Sequence, residues 1–464
     1  MGSLLASLNL VDSTSLLIYN TGTLLDIATG SFIPSVEGTH LLYGGVSSMF
    51  GVGGRPKNFK STILNSYLVN LIARYDDSEM IIYDVENSIV ADKQRVLEMS
   101  TLYLDDPDKR EQHINDLDNR IKVIGLNQCP DLETFNELII QRVVTEKRKI
   151  LKDLEKVTPV VDAKTGEFKK TISPTFIVFD SWSQAGFSSI FDEVEKKGIS
   201  DKGNNMSSAR ENQLKNQFIK PFPKLSSELG IYFAFTTQIS DVIQTNAFAV
   251  QPKQMPFMKH NTSYRGVSKG YYYLISTQLG LSAPKILGSK TESEYVLSDN
   301  TATSELFTVK NTIESIKGGN GSGGMFDVVV AQNQGYHGGL SNLVYLKEHD
   351  YFGLGTNKIH PKCALHPEVT LARKKAVAAL HDYKTYRAVE LTAQLCYIQN
   401  SWTLTNSEVP FDITPEALYE ALNKTSYKID DILNTRGWWT FKDSVYTKER
   451  EYMSLYDILK LIKS

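Results

Sequence analysis

The sequence predicts an α/β fold, with a mostly parallel central sheet flanked by helices and a smaller, mainly helical C-terminal domain. Three observations lead there. Short runs rich in β-branched and aromatic residues are separated by long helical patterns; a lysine-bearing glycine loop opens into an amphipathic segment; and helix signals return after about residue 352.

The runs are MIIYDVEN (80–87), TFIVFDS (175–181), IYFAFTTQ (231–238), YYYLIS (271–276), LFTVKN (306–311) and FDVVVAQ (326–332). Each ends in polar residues, as buried strands do where they leave a sheet. Long helical stretches between the first three predict βα crossovers, whereas the last three follow closely, as hairpin-like strands. The charged segment 88–170 is longer than one crossover needs, so part of it is expected to be an insertion. GGNGSGG (318–324) is a flexible turn between strands, because consecutive glycines carry nothing to pack. Further on, Thr414 reads as an N-cap with Pro415 at the first helical position and Glu416 in the first turn. The expected organisation is a short N-terminal segment (1–20), a core over 21–355 and a helical domain over 356–464.

Composition bounds the function. With 464 residues, 41% of them hydrophobic, the chain can bury a large core. No run approaches the roughly 18 apolar residues of a membrane span, and the start lacks a secretory signal, which predicts a cytoplasmic protein, in a bacterium or in an infected host cell, with no membrane partner. The three cysteines (Cys129, Cys363, Cys396) are too far apart for a CxxC site and read as reduced thiols. Lys and Arg number 50 against 53 Asp and Glu, so any DNA contact must come from a local patch.

The chemistry concentrates at GGRPKNFKST (53–62), which runs into TILNSYLVNLIARY as a phosphate loop runs into its helix. Over Gly54, Arg55, Pro56, Lys57, Asn58, Phe59, Lys60, Ser61 and Thr62, backbone N–H groups and the helix N-terminus would cradle phosphates. Lys60 would reach the β and γ oxygens, and the Ser61 hydroxyl would ligate magnesium. Phe59 stands where GxxxxGK[ST] has its second glycine, and by spacing alone a lysine-bearing surface turn is the competing reading. Carboxylates at the ends of YDVEN and FIVFDS lie where α/β sheets bind ligands. One acid can hold the metal shell and another polarise the attacking water, although a single acid at a strand end is more often a helix cap.

In this order the motifs resemble the RecA recombinase family, and most closely its phage UvsX branch. TGTLLDIATG (21–30) resembles the segment leading into the RecA nucleotide domain, GRPKNFKS the UvsX loop with Phe before the lysine, and QGYHGGLSNLVYLKEHDYFG (334–353) the family's glycine turn and following helix. The resemblance covers roughly 20–355. It implies a RecA-type core binding ATP and Mg2+, with Glu86 as the catalytic glutamate and Asp180 as the Walker B acid on the metal. It also implies that Gln238 senses the γ-phosphate and that Lys310 reaches a neighbouring subunit's ATP. Thr312 replaces a second lysine found in many relatives, which weakens the charge offered across that interface, and few residues precede TGTLLD for a polymerisation arm.

The resemblance places two DNA loops at about 185–208 and 239–268. The second carries Lys253, Lys259, Arg265 and Lys269 interleaved with Phe257 and Tyr264, cations for phosphates and rings for bases; an ordinary solvated loop is the competing reading. The first, with Lys196, Lys197 and Lys202, is weaker in composition. The implied protein is an ATP-dependent DNA recombinase that forms homo-oligomeric filaments on single-stranded DNA and pairs it with homologous duplex, with single-strand-binding and loader proteins as candidate partners. Two alternatives stay open: a RecA-fold replicative helicase, and an accessory scaffold that binds ATP with little turnover.

Overall fold

The computed structural model describes residues 17–34, 40–100, 106–161, 165–190, 204–242, 255–288, 294–295, 308–317, 323–331, 334–401, 412–444 and 451–463. Its central element is a sheet of 11 strands. Ten carry the description: β1 (Met49–Gly54), β2 (Glu79–Asp84), β3 (Ile121–Gly125), β4 (Thr175–Asp180), β5 (Ile231–Asp241), β6 (Thr262–Tyr264), β7 (Thr277–Leu281), β8 (Thr308–Lys317), β9 (Met325–Ala331) and β10 (Gly335–Tyr336). Along the sheet they run β10-β9-β8-β7-β1-β5-β4-β2-β3, with β6 pairing the end of β5. The six strands from β7 to β3 are mutually parallel, and β8, β9 and β10 continue antiparallel. The α/β class and the mostly parallel sheet match the expectation from sequence.

Alternation along the strands divides the core in two. Phe176 and Val178 join one apolar cluster while Ile177 and Phe179 join the other, and β5 divides in the same way between Tyr232 and Ala234 and their neighbours Phe233 and Phe235. A parallel strand covered on both faces buries every position, as β1 and β4 do. Helix α1 (Lys60–Arg74) lies on the first face and fully buries Leu64, Leu68, Leu71 and Ile72, each contributing about 1.5–3 kcal/mol. The same cluster takes in Ala388, Leu391, Leu395, Leu418 and Ile458, so the helices after residue 356 share their core with the sheet. Thr414 caps its helix as expected, its hydroxyl accepting from Ala417 N at 3.1 Å.

One expected strand is absent. YYYLIS is not a strand: Lys269–Leu274 is a helix, and the sheet position falls to the next residues, TQLGL. The aromatic run packs as a helix, with Tyr271 buried and Tyr273 80% exposed. Between β1 and β8 the strand leaves room at Gly280, where Ile316 of β8 lies against the glycine. The segment 88–170 holds more than one crossover, as its length implied. It supplies β3, a second parallel crossover at the sheet edge, and the hairpin Glu155–Val161 with Phe168–Ile172 is the separate addition. The antiparallel pairing of β8 and β9 agrees with a turn at 318–324, of which residues 318–322 lie outside the described residues.

Candidate nucleotide and nucleic-acid site

Four parallel neighbours, β1, β5, β4 and β2, end side by side, and the cleft opens at those ends. Gly53 and Gly54 lead out of β1 because side chains do not fit there: a Cβ on Gly53 would sit 2.3 Å from the Tyr264 ring. The loop then turns through two left-handed residues, Lys57 (φ 65) and Phe59 (φ 58), the second where a glycine was expected. Phe59 offsets that strain in part by packing its ring against the core beside α1. Asn58 is buried and donates to Leu281 O at 3.1 Å, which ties the loop to β7. The helix α1 begins directly at Lys60, so its orphan N–H groups and positive dipole end face the cleft.

The cleft has a volume of about 760 Å³, and Lys60, Ser61, Glu86, Asp180 and Gln238 all line it together with Pro56, Lys57, Phe59 and Thr62. Residues from four separate stretches of sequence, 56–62, Glu86, Asp180 and Gln238, therefore converge on one cleft, and Lys310 is not among its lining residues. Asp180 Oδ1 accepts from Ser61 Oγ at 2.9 Å and from Thr236 Oγ1 at 2.6 Å, while its Oδ2 is buried without a hydrogen-bond partner. Burial pushes the Asp180 carboxyl up to about 6, against the pull of the two hydroxyls. A buried carboxylate oxygen with nothing to satisfy it, next to a serine hydroxyl, fits a hard divalent cation that takes its remaining ligands from phosphate and water. Among the described residues no group of three His, Cys, Asp or Glu could hold a metal alone.

Lys60 folds across its own loop, donating to Arg55 O at 3.1 Å. Burial lowers its ammonium from the ordinary value, with Glu86 and Asp180 acting in the opposite sense. Arg55 is exposed and pairs with Asp241 at 2.6 Å, joining the loop after β1 to the end of β5. The neighbouring acid Asp84 has a capping role, its Oδ2 accepting from Ile89 N and Val90 N at 2.6 and 2.7 Å.

Gln238 lies in β5 opposite Gly54 of β1, and its strand continues into the hairpin with β6. Arg265 N donates to Gln238 O at 2.8 Å, so the hairpin is hydrogen-bonded to the residue that lines the cleft. Lys259, Arg265, Lys269 and Phe257 are exposed on this side, and Lys253 lies outside the described residues. Tyr264 does not join them. It is 4% exposed and packed under Gly53 against Tyr271 and Tyr272, so it supports the start of the Gly54–Lys60 loop and offers no face for a base. Most of the first loop, including Lys196, Lys197 and Lys202, lies outside the described residues. Lys310 sits in β8 in register with Val329 on one side and Lys285 on the other, separated from β1 by β7.

Sequence reasoning missed Thr236, Ser183, Gln184 and the Arg55–Asp241 pair. Thr236 stood beside Gln238 in IYFAFTTQ, but a threonine in a strand signals nothing by itself. The three cysteines are buried free thiols, and among the described residues no helix is long and apolar enough to cross a membrane. No family model matches the chain, and no curated protein was found to match it.

Proposed function

We propose that the chain is an ATP-dependent DNA recombinase with a RecA-type core, which assembles on single-stranded DNA and promotes homologous pairing and strand exchange. The observation that carries this reading is the convergence of Lys60, Ser61, Asp180, Glu86 and Gln238 on one cleft, with Gln238 on a strand that runs into an exposed basic hairpin. In this reading Lys60 and the N–H groups of α1 bind the phosphates, and Ser61 and Asp180 hold Mg2+. Bound there, the metal supplies charge neutralisation at the β and γ oxygens. Glu86 takes a proton from the attacking water, and Gln238 links the γ-phosphate to the hairpin.

An intact set of hydrolytic residues favours this over an ATP-binding scaffold with little turnover. The rival motor, a replicative helicase, would use the same cleft to unwind duplex. The test is ATP turnover with and without single-stranded DNA, combined with a strand-exchange assay on homologous substrates. Stimulated turnover with joint-molecule formation is expected. Unwinding without pairing would favour the helicase instead.

A further inference from the structure

The turn after β4 is held from several sides. Gln184 N and Ala185 N both donate to Ser181 O at 3.1 Å, and Trp182 N donates to Thr236 O at 3.0 Å. The Trp182 ring is fully buried among Phe179, Phe218 and Phe235. A few residues on, Glu133 accepts from Ser188 N at 2.9 Å and from Ser189 Oγ at 3.1 Å. From this fixed turn two neighbouring side chains reach residues that line the cleft. Ser183 Oγ accepts from Gln238 N at 2.8 Å, and Gln184 Nε2 donates to Glu86 Oε1 at 3.0 Å.

We propose that Gln184 is a positioning residue for Glu86, holding one carboxylate oxygen so that the other is presented to the attacking water. This rests on the reading of Glu86 as the general base. Glu86 is exposed on a loop just beyond β2, where a free glutamate samples many rotamers and spends little time in the productive one. A hydrogen bond from a rigid turn narrows that set. An amide suits the task because it donates to the carboxylate without bringing a charge into the site, as a lysine would. The adjacent Ser183 bond to Gln238 means that one turn positions both residues assigned to the γ-phosphate end of the cleft.

The test compares full-length wild type, Gln184→Ala and Gln184→Asn, the last one methylene too short to reach, in steady-state ATPase with single-stranded DNA and in binding of a fluorescent ATP analogue. In both variants kcat is expected to fall about 5–10-fold, with KM and analogue affinity held within about twofold, since only orientation is lost. Melting temperature stays unchanged because the side chain is exposed. In a Glu86→Gln background, Gln184→Ala is expected to add no further loss, as the two act as one unit. An unaltered kcat in Gln184→Ala alongside a reduced one in Glu86→Gln overturns the proposal, as does a double variant that loses the full product of the single losses. Full activity in Glu86→Gln overturns the underlying assignment of Glu86, and this one with it.

Discussion

Lys60 and Glu86 line the same cleft but differ in what their removal should do. In the proposed function Lys60 is the cation that meets the phosphates, so Lys60→Ala should weaken nucleotide binding by roughly 100-fold, the scale of one lost charge-assisted contact. Glu86→Gln keeps the shape of the side chain and removes its basicity. It should leave ATP and DNA binding intact and slow hydrolysis by about 100-fold or more, the range of a lost general base. Equilibrium nucleotide binding and steady-state ATPase measured on both variants separate the roles. Asp180 adds a dependence on pH. Its carboxyl titrates near 6 in the folded protein against about 3.9 in the unfolded chain, so the folded state binds the extra proton between those values. Stability of the nucleotide-free protein should therefore decline as pH rises from about 4 to about 6, by about 3 kcal/mol from this group, and Asp180→Asn should remove that component. Binding of Mg2+ with ATP should show the opposite trend, strengthening as the carboxylate forms. Denaturant melts across this range, wild type against Asp180→Asn, decide the first point, and equal pH slopes would remove Asp180 as their source.

At the scale of elements, the hairpin of β5 and β6 carries the DNA-binding expectation. Lys259→Ala with Arg265→Ala should lower single-strand affinity and reduce the slope of log affinity against log salt by about 1.4, from roughly 0.7 per phosphate contact. An unaltered slope would return these cations to ordinary surface. Much of this site could be read from sequence because strand ends, loop spacing and helix onset are local signals: the ends of β2, β4 and β5 were legible, and so was the start of α1. Tyr264 was not, because composition shows which residues a loop contains but not which of them turn inward, here under Gly53. Position 59 was legible as an anomaly, and the structure supplies its physical basis, a left-handed phenylalanine whose ring is packed. TQLGL was passed over because its fitness as a strand depends on Gly280 and Ile316 meeting across β7 and β8, a contact no local pattern records.

Across the whole molecule, a recombinase of the proposed kind needs ATP, subunit contact and DNA to act together. Lys310, on a strand beyond the nucleotide cleft, is assigned the contact with a neighbour's ATP. Lys310→Ala should lose DNA-stimulated hydrolysis and ATP-dependent assembly together while each subunit still binds nucleotide through Lys60 and Ser61. Light scattering and ATPase, each with and without single-stranded DNA, test that linkage; normal assembly and turnover would assign Lys310 to the strand alone. The segments after residue 356 share one apolar core with the sheet, and Trp439 packs on Tyr19 and Tyr75 while the Trp438 ring lies 4.3 Å from the Arg74 guanidinium at the end of α1. Sequence showed their helicity but not this shared core, because the partners are several hundred residues apart.

In the proposed function ATP binding drives assembly of this chain into an open polymer on single-stranded DNA. Electron microscopy of the protein with single-stranded DNA and a non-hydrolysable ATP analogue would show that polymer. Helical filaments are expected only when nucleotide is present, and none with Lys60→Ala. Closed rings, or DNA coated equally well without nucleotide, would contradict it.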